Sequence, residues 1–175
     1  MVSGKVFVFT NILPICKNDD GVATVLGHEI AHNVAHHAAE KMSSLYLLTS
    51  VVIVLAALVG IDERISRILL QLGFEMPNGR KQETEADFIG LQMMAEACFD
   101  PEEAVRFWDR MEKAAEYEPP QVLSTHPSSH NRQEKLRQWL PLAEDKRQQS
   151  DCAAMMGFGE FAGPVFGKLL IQPRT

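Results

Sequence analysis

The stretch His28-Glu29-Ile30-Ala31-His32 decides how this chain of 175 residues is interpreted. In a helix, residues four apart lie on one face about one turn apart, so His28 and His32 can bind the same metal ion. Glu29 lies a step round the helix, close enough to reach a water at that metal but badly aimed to be a ligand. Two histidine ligands beside a glutamate base are typical of zinc hydrolase centres. The alternative is a helix with two surface histidines, and the surrounding sequence has to decide.

The residues around this stretch predict a helix. Asn18-Asp19-Asp20-Gly21 supplies a capping side chain and negative charge for its N-terminus. The run continues through Glu40 without proline or glycine, which places the histidines mid-helix. Gly27 costs about 1 kcal/mol of helix propensity and is explicable if another backbone or a substrate must come close. An apolar stripe recurs every four residues, at Val22, Leu26, Ile30 and Val34.

A catalytic zinc site needs a third protein ligand and an open position for water. Glu83 is the strongest candidate because it shares a helical face with Asp87, four residues on. One of these acids could bind zinc, and the other could accept the spare N–H of a zinc-bound histidine. Taken alone, the acids from Glu83 to Asp87 would be a solvated charge cluster at a helix start. Other downstream residues of suitable chemistry are Cys98, Cys152, His126 and His130.

These motifs together resemble the metallopeptidase family that contains the HtpX heat-shock protease and the CAAX prenyl endopeptidases. The resemblance covers residues 4–142 and is closer still to the Oma-type branch of that family. Four stretches carry it: Gly4-Lys5-Val6-Phe7-Val8-Phe9, Leu26-Gly27-His28-Glu29-Ile30-Ala31-His32, Arg80-Lys81-Gln82-Glu83-Thr84-Glu85-Ala86-Asp87 and Leu123-Ser124-Thr125-His126-Pro127.

The resemblance implies a metal site with assigned roles. His28, His32 and Glu83 would bind one zinc ion per chain. Asp87 would orient a ligand histidine, and Glu85 would do neither.

The resemblance also implies two residues that act on the substrate. Glu29 would be the general base. His126 belongs to a Ser-Thr-His-Pro element that lines the cleft in relatives, where it would stabilise the oxyanion of the tetrahedral intermediate. Many relatives carry an Arg-His pair where this chain has His36-His37, and no role is predicted for either histidine.

The fold implied by the resemblance is a zincin-like peptidase domain, mainly α (α+β), with a small N-terminal β element at Val6-Phe7-Val8-Phe9. The free edge of that strand could pair with an extended substrate. The peptidase domain is expected to span residues 1–142, with a C-terminal extension over residues 143–175. Relatives commonly show an Asn and a Pro-Gly-Gly stretch before the first strand, so a shortened N-terminus is expected here.

The expected function is a zinc-dependent endopeptidase acting on membrane-associated polypeptides in mitochondrial quality control. The resemblance implies the mitochondrial inner membrane as its location, with the bacterial envelope or periplasm as the alternative. A second hypothesis is a catalytically inactive, zinc-stabilised interaction domain. An intact Glu29 argues against it, because a purely structural zinc site has no use for a base.

Composition excludes some partners. A net charge of -6 and the lack of a basic stripe argue against nucleic acid as a partner. The three cysteines are far apart and odd in number, so no disulfide framework is predicted and each is interpreted as a plain thiol.

The apolar residues 42–61 contain no charge and are a borderline membrane-spanning candidate by length. A single crossing would separate His28 and His32 from Glu83, and residues 65–74 are too short for a return crossing. We therefore expect a helix partly associated with a membrane, with a buried core helix as the alternative. Gly60, Gly73 and the turn Pro77-Asn78-Gly79 are expected to divide the region into two helices.

Overall fold

The computed structural model of this chain describes residues 6–60, 62–70, 76–115, 131–152 and 154. The prediction of a mainly helical chain is confirmed for this part. A 3-10 turn at Thr10–Ile12 precedes seven described α-helices, which are α1 Leu13–Cys16, α2 Asp19–Val34, α3 His37–Val59, α4 Glu63–Leu70, α5 Met76–Glu96, α6 Glu102–Ala115 and α7 Arg132–Gln149.

The small β element predicted at residues 6–9 is not found. These residues have no regular secondary structure, and no residue within the described ranges lies in a strand. Phe7 is 82% exposed, so the apolar side chains of this run are not packed as a sheet face would be. A strand needs a partner to satisfy its backbone groups, and a run of four apolar residues carries no information about a partner. The substrate-pairing edge inferred from this strand is lost with it.

Helix α2 begins as predicted but ends earlier. Asn18 caps it, accepting a hydrogen bond from the backbone N–H of Gly21 at 2.8 Å. The helix stops at Val34, before Glu40, because His36 adopts a left-handed conformation with φ of 57°. No proline or glycine marks this break in the sequence. The histidines of the opening motif therefore lie near the C-terminal end of α2.

The core is formed where α2, α5, α6 and α7 pack together. Its largest fully buried side chains include Leu91 of α5, Phe107 and Met111 of α6, and Leu136 of α7. Burial of each such side chain contributes about 1.5–3 kcal/mol. Within this core, α2 packs against α5 and α6, and α7 packs against the same two helices.

Helices α2 and α5 cross at two glycines. A Cβ on Gly27 would lie 2.9 Å from the carbonyl oxygen of Gly90, and a Cβ on Gly90 would lie 2.8 Å from the carbonyl carbon of Gly27. The interpretation that Gly27 admits another backbone is confirmed. This contact brings His28 to the face of α5 that carries Asp87.

Helix α3 leaves this core. It is long and apolar enough to cross a membrane by length and composition, and none of its most apolar stretch is buried. Tyr46 and Leu58 are 81% and 77% exposed, so α3 is not a buried core helix within the described residues. Gly60 ends the helix in a left-handed conformation, as predicted. Gly73 lies outside the described residues.

Helix α5 begins earlier than the sequence indicates. The predicted turn Pro77-Asn78-Gly79 is wrong, because these residues form the first turn of α5, which starts at Met76. Proline is tolerated in a first helical turn, where its missing N–H would have no partner.

The prediction that all three cysteines are plain thiols is wrong for two of them. Cys98 and Cys152 form a disulfide, with Cα atoms 5.5 Å apart. Cys98 follows the end of α5 and Cys152 follows the end of α7, so packing of these two helices brings the thiols together. A pair 54 residues apart has no sequence signature. Cys16 remains a free, buried thiol, and burial raises its pKa.

Candidate metal centre

Three side chains from two helices converge at one point. His28 and His32 of α2 and Glu83 of α5 each offer a donor atom, and these atoms lie within 4.8 Å of one another. The two Nε2 atoms are 3.0 Å apart. Oε2 of Glu83 lies 3.4 Å from Nε2 of His28, and Oε1 lies 3.4 Å from Nε2 of His32.

These separations fit a tetrahedral metal ion. Zinc bound at about 2.0–2.2 Å by nitrogen and oxygen ligands holds neighbouring donors about 3.4 Å apart. Two imidazoles and one carboxylate also match the donor set of catalytic zinc sites, which leave a fourth position open. His28 and Glu83 are buried, so a metal held here is shielded by protein on one side.

Asp87 holds His28 in the orientation that a ligand requires. Its Oδ1 lies 2.9 Å from Nδ1 of His28, which leaves Nε2 directed at Glu83 and His32. Burial lowers the pKa of His28, but hydrogen bonds with Asp87 and Glu83 outweigh that effect and raise the pKa to about 9. The two carboxylates therefore favour positive charge at this point, whether a proton or a metal cation supplies it.

Arg132, the first residue of α7, joins both carboxylates. Its Nη2 donates to Oε2 of Glu83 at 2.9 Å, and its Nε donates to Oδ2 of Asp87 at 2.5 Å. The guanidinium carbon lies 3.7 Å from the centre of the Trp108 ring, which itself meets His28 edge-on at 5.9 Å between ring centroids. Arg132 is buried, and together with His28 it offsets the negative charge of the two acids.

Neither Arg132 nor Trp108 was predicted from the sequence to lie at this site. Arg132 stands in a polar run at the start of the last helix, where an arginine is ordinarily solvated. Only the packing of α7 against α5 and α6 shows that it reaches the acids. The Arg132 Nη1 atom is buried without a hydrogen-bond partner in the described part of the chain.

His37 is a second residue that the sequence did not reveal. It is buried at the start of α3, and its Nδ1 lies 2.8 Å from Nδ1 of His32. Its Nε2 lies 3.4 Å from Oε2 of Glu85. His37 therefore contacts Nδ1 of His32, the ring nitrogen that points away from the metal site, just as Asp87 contacts Nδ1 of His28.

The other candidate site residues named from the sequence have different outcomes. Glu29 is half-buried on α2 between the two histidines. Cys98 and Cys152 are paired with each other and cannot also serve as thiolate ligands. His126 and His130 lie outside the described residues, so the oxyanion role of His126 stays a prediction.

Two histidines, a glutamate and an aspartate arranged in this way on a helical core are compatible with the metal site of a metallopeptidase. The chain belongs to peptidase family M48. The profile described as "Peptidase family M48" matches residues 1–140. The resemblance predicted from the motifs is confirmed by the relatives that follow.

The relatives include Oma-type enzymes from fungi and vertebrates. The chain is 49% identical over 152 residues to the mitochondrial metalloendopeptidase OMA1 of Schizosaccharomyces pombe, covering 85% of this chain and 45% of that protein. It is 45% identical over 161 residues to the enzyme of that name from Saccharomyces cerevisiae, covering 87% and 46%. It is 38% identical over 164 residues to the metalloendopeptidase OMA1 of Homo sapiens, covering 86% and 31%. The chain thus spans less than half the length of these relatives. No solved structure matches it.

Proposed function

We propose that this chain is the catalytic unit of a zinc-dependent endopeptidase of zincin-like design. Its metal ligands are His28, His32 and Glu83, and it binds one zinc ion. The observation that carries the proposal is the convergence of three donor atoms within 4.8 Å, at separations suited to tetrahedral zinc. Membership of a metallopeptidase family supports it.

Zinc supplies Lewis acidity, which polarises a peptide carbonyl and lowers the pKa of a water molecule. Glu29 takes a proton from the attacking water as its oxygen adds to the carbonyl carbon. Glu29 then transfers that proton to the departing amine as the C–N bond breaks. The Asp87 carboxylate keeps the ring of His28 in place throughout. In this proposal His126 donates a hydrogen bond to the oxyanion.

The proposal also covers domain organisation, substrates and location. Residues 1–142 form the peptidase domain, and residues 143–175 form an extension whose first part continues α7. By similarity to mitochondrial enzymes, the substrates are polypeptides associated with the mitochondrial inner membrane, cleaved during quality control. The exposed apolar surface of α3 supports association with that membrane.

Zinc content and peptide hydrolysis, measured on the same preparation, test the central proposal. The unmodified protein should contain one zinc and cleave an unstructured substrate such as casein. Glu29→Gln should retain zinc and fold while losing hydrolysis, because the amide keeps the shape of the side chain and cannot take a proton. Equal cleavage by both proteins would contradict the mechanism. Zinc binding without cleavage by either protein would favour the interaction-domain hypothesis.

A further inference from the structure

Each ligand histidine has two ring nitrogens: Nε2, which faces the metal site, and Nδ1, which points away from it. Both nitrogens must be held in place for the ring to keep a fixed orientation. A ring that binds metal through one nitrogen is generally fixed by a hydrogen bond at the other. Asp87 supplies that bond to His28 at 2.9 Å. On His32, Nε2 faces the ligand cluster and Nδ1 points the other way, to Nδ1 of His37 at 2.8 Å.

We propose that His37 is the positioning residue of His32, and that Glu85 fixes the tautomer of His37. This inference rests on the zinc site of the proposed function. With metal on Nε2, His32 is neutral and its proton is on Nδ1. That proton is donated to Nδ1 of His37, which must therefore be unprotonated. The proton of His37 is then on Nε2, the atom that lies 3.4 Å from Oε2 of Glu85.

The fold delivers His37 to this point through the break between α2 and α3. In an uninterrupted helix, a residue five positions after His32 would lie about 140° round the axis and could not meet it. Ala35 and His36 form a turn instead, and the left-handed backbone of His36 redirects the chain so that His37 returns onto His32. The rings of His37 and His32 meet edge to face, with centroids 4.9 Å apart.

Helix α5 holds the first turn of α3 in place. Gln82 Nε2 donates to Oε2 of Glu40 at 2.8 Å and approaches the carbonyl oxygen of His37 at 3.5 Å. The ring of His37 is buried, so its two nitrogens need partners inside the protein. The pairs His28–Asp87 and His32–His37 thus place a partner on Nδ1 of each ligand histidine.

The two contacts of His37, with His32 and with Glu85, should contribute unequally to zinc binding. The His37–His32 contact is short and partly buried, whereas the Glu85 side chain is 58% exposed and its contact with His37 is longer. Water can replace an exposed acceptor. Loss of His37 should therefore weaken the site more than loss of Glu85.

Zinc affinity measured by chelator competition on a set of variants tests the inference. His37→Leu removes the acceptor at similar volume and should weaken zinc binding about 10–100-fold. His37→Asn should restore most of the affinity, because its amide oxygen can occupy the position of Nδ1. His36→Asn is the matched control, since it removes an exposed neighbouring imidazole and asparagine tolerates the left-handed conformation. It should bind zinc as the unmodified protein does.

Nitrogen-15 NMR of the zinc-loaded protein reads the tautomer directly. His37 should be neutral with its proton on Nε2, and a proton on Nδ1 of His37 would overturn the inference. Unchanged zinc affinity in His37→Leu, or equal loss in His37→Leu and His37→Asn with both folded, would also overturn it. Absence of zinc binding by the unmodified protein would overturn the proposed function, and this inference with it.

Discussion

Gly27 and Gly90 meet backbone to backbone, so closely that a Cβ on Gly90 would lie 2.8 Å from the amide nitrogen of His28. Real Cβ atoms do not approach other atoms at that distance, so any side chain at either position must push α2 and α5 apart. The metal ligands lie on these same two helices, within one or two turns of the crossing. The spacing of the two helices therefore sets the distance between His28 and the acids of α5.

Gly90→Ala should weaken zinc binding as well as the fold. Separation of α2 from α5 lengthens the distance from His28 to Asp87, and overpacking of this kind costs about 1–3 kcal/mol of unfolding free energy. Gly79→Ala in the same helix is the control, because its Cβ would enter open space. It should raise stability by about 0.5–1 kcal/mol and leave zinc affinity unchanged. Urea unfolding and zinc titration of both variants give the two quantities, and normal zinc affinity in Gly90→Ala would contradict the coupling.

Arg132→Gln should destabilise the zinc-free protein more than the zinc-loaded protein. Without the guanidinium, Glu83 and Asp87 lose their buried counter-charge, and such a loss costs about 3–5 kcal/mol. Bound zinc restores positive charge beside them. Thermal unfolding with zinc and with a chelator measures the difference. Arg137→Gln, in an exposed position on the same helix, should change neither curve. A loss of stability independent of zinc would mean that Arg132 serves packing alone.

Glu83→Ala should lose zinc, whereas Glu85→Ala should retain most of it. Glu83 lies 3.4 Å from Nε2 of each ligand histidine, whereas Glu85 contacts His37. Elemental analysis of the two purified variants, dialysed side by side, is the measurement. Equal zinc loss from both would contradict the ligand assignment.

Residues Ser43 and Asp62, at the two ends of the apolar run, should lie on one side of a membrane. His28 and His32 precede α3 and Glu83 follows it. A single crossing would therefore place the two histidines and Glu83 on opposite sides of the membrane. Labelling of Ser43→Cys and Asp62→Cys with a membrane-impermeant thiol reagent, in the full-length protein in intact membranes, tests this. Labelling from opposite sides would contradict the metal site itself.

Glu103 should make stability depend on pH in the acid range. Burial raises the pKa of its carboxyl, but hydrogen bonds from Arg106 and Arg110 outweigh burial and lower it from the usual 4.5. A lowered native pKa stabilises the fold above pH 4.5, and this contribution is lost as pH falls through the native value.

Glu103→Gln should therefore cost about 1–3 kcal/mol at neutral pH, and the difference should shrink in acid. Urea unfolding at pH 7 and pH 3.5 measures it. Glu102→Gln, at an exposed neighbour that also pairs with Arg106, should change little. A constant difference at both pH values would contradict the role of the Glu103 charge.

The sequence predicted the parts of the site that depend on local spacing. His28 and His32 are one helical turn apart, and so are Glu83 and Asp87, so each pair is visible without a fold. Their assembly was predicted by resemblance to a family, since nothing local relates residue 28 to residue 83. The role of His37 could not be predicted because it depends on the left-handed backbone of His36, which is neither glycine nor asparagine. Arg132 escaped because its partners lie on another helix.

The errors have the same origin. The short apolar run of residues 6–9 predicted a strand, but pairing is a tertiary property and no partner strand is present in the described part. The disulfide between Cys98 and Cys152 joins the ends of α5 and α7, which become neighbours only when those helices pack.

The contacts of Arg132 set an order on the assembly of this protein. The His28–Asp87 bond spans 59 residues, and the Arg132–Glu83 bond spans a further 49. A chain made from its N-terminus exposes the two histidines first, then the acids, and last the arginine that stabilises those acids. During synthesis the two acids thus lack their buried arginine partner until residue 132 has been added.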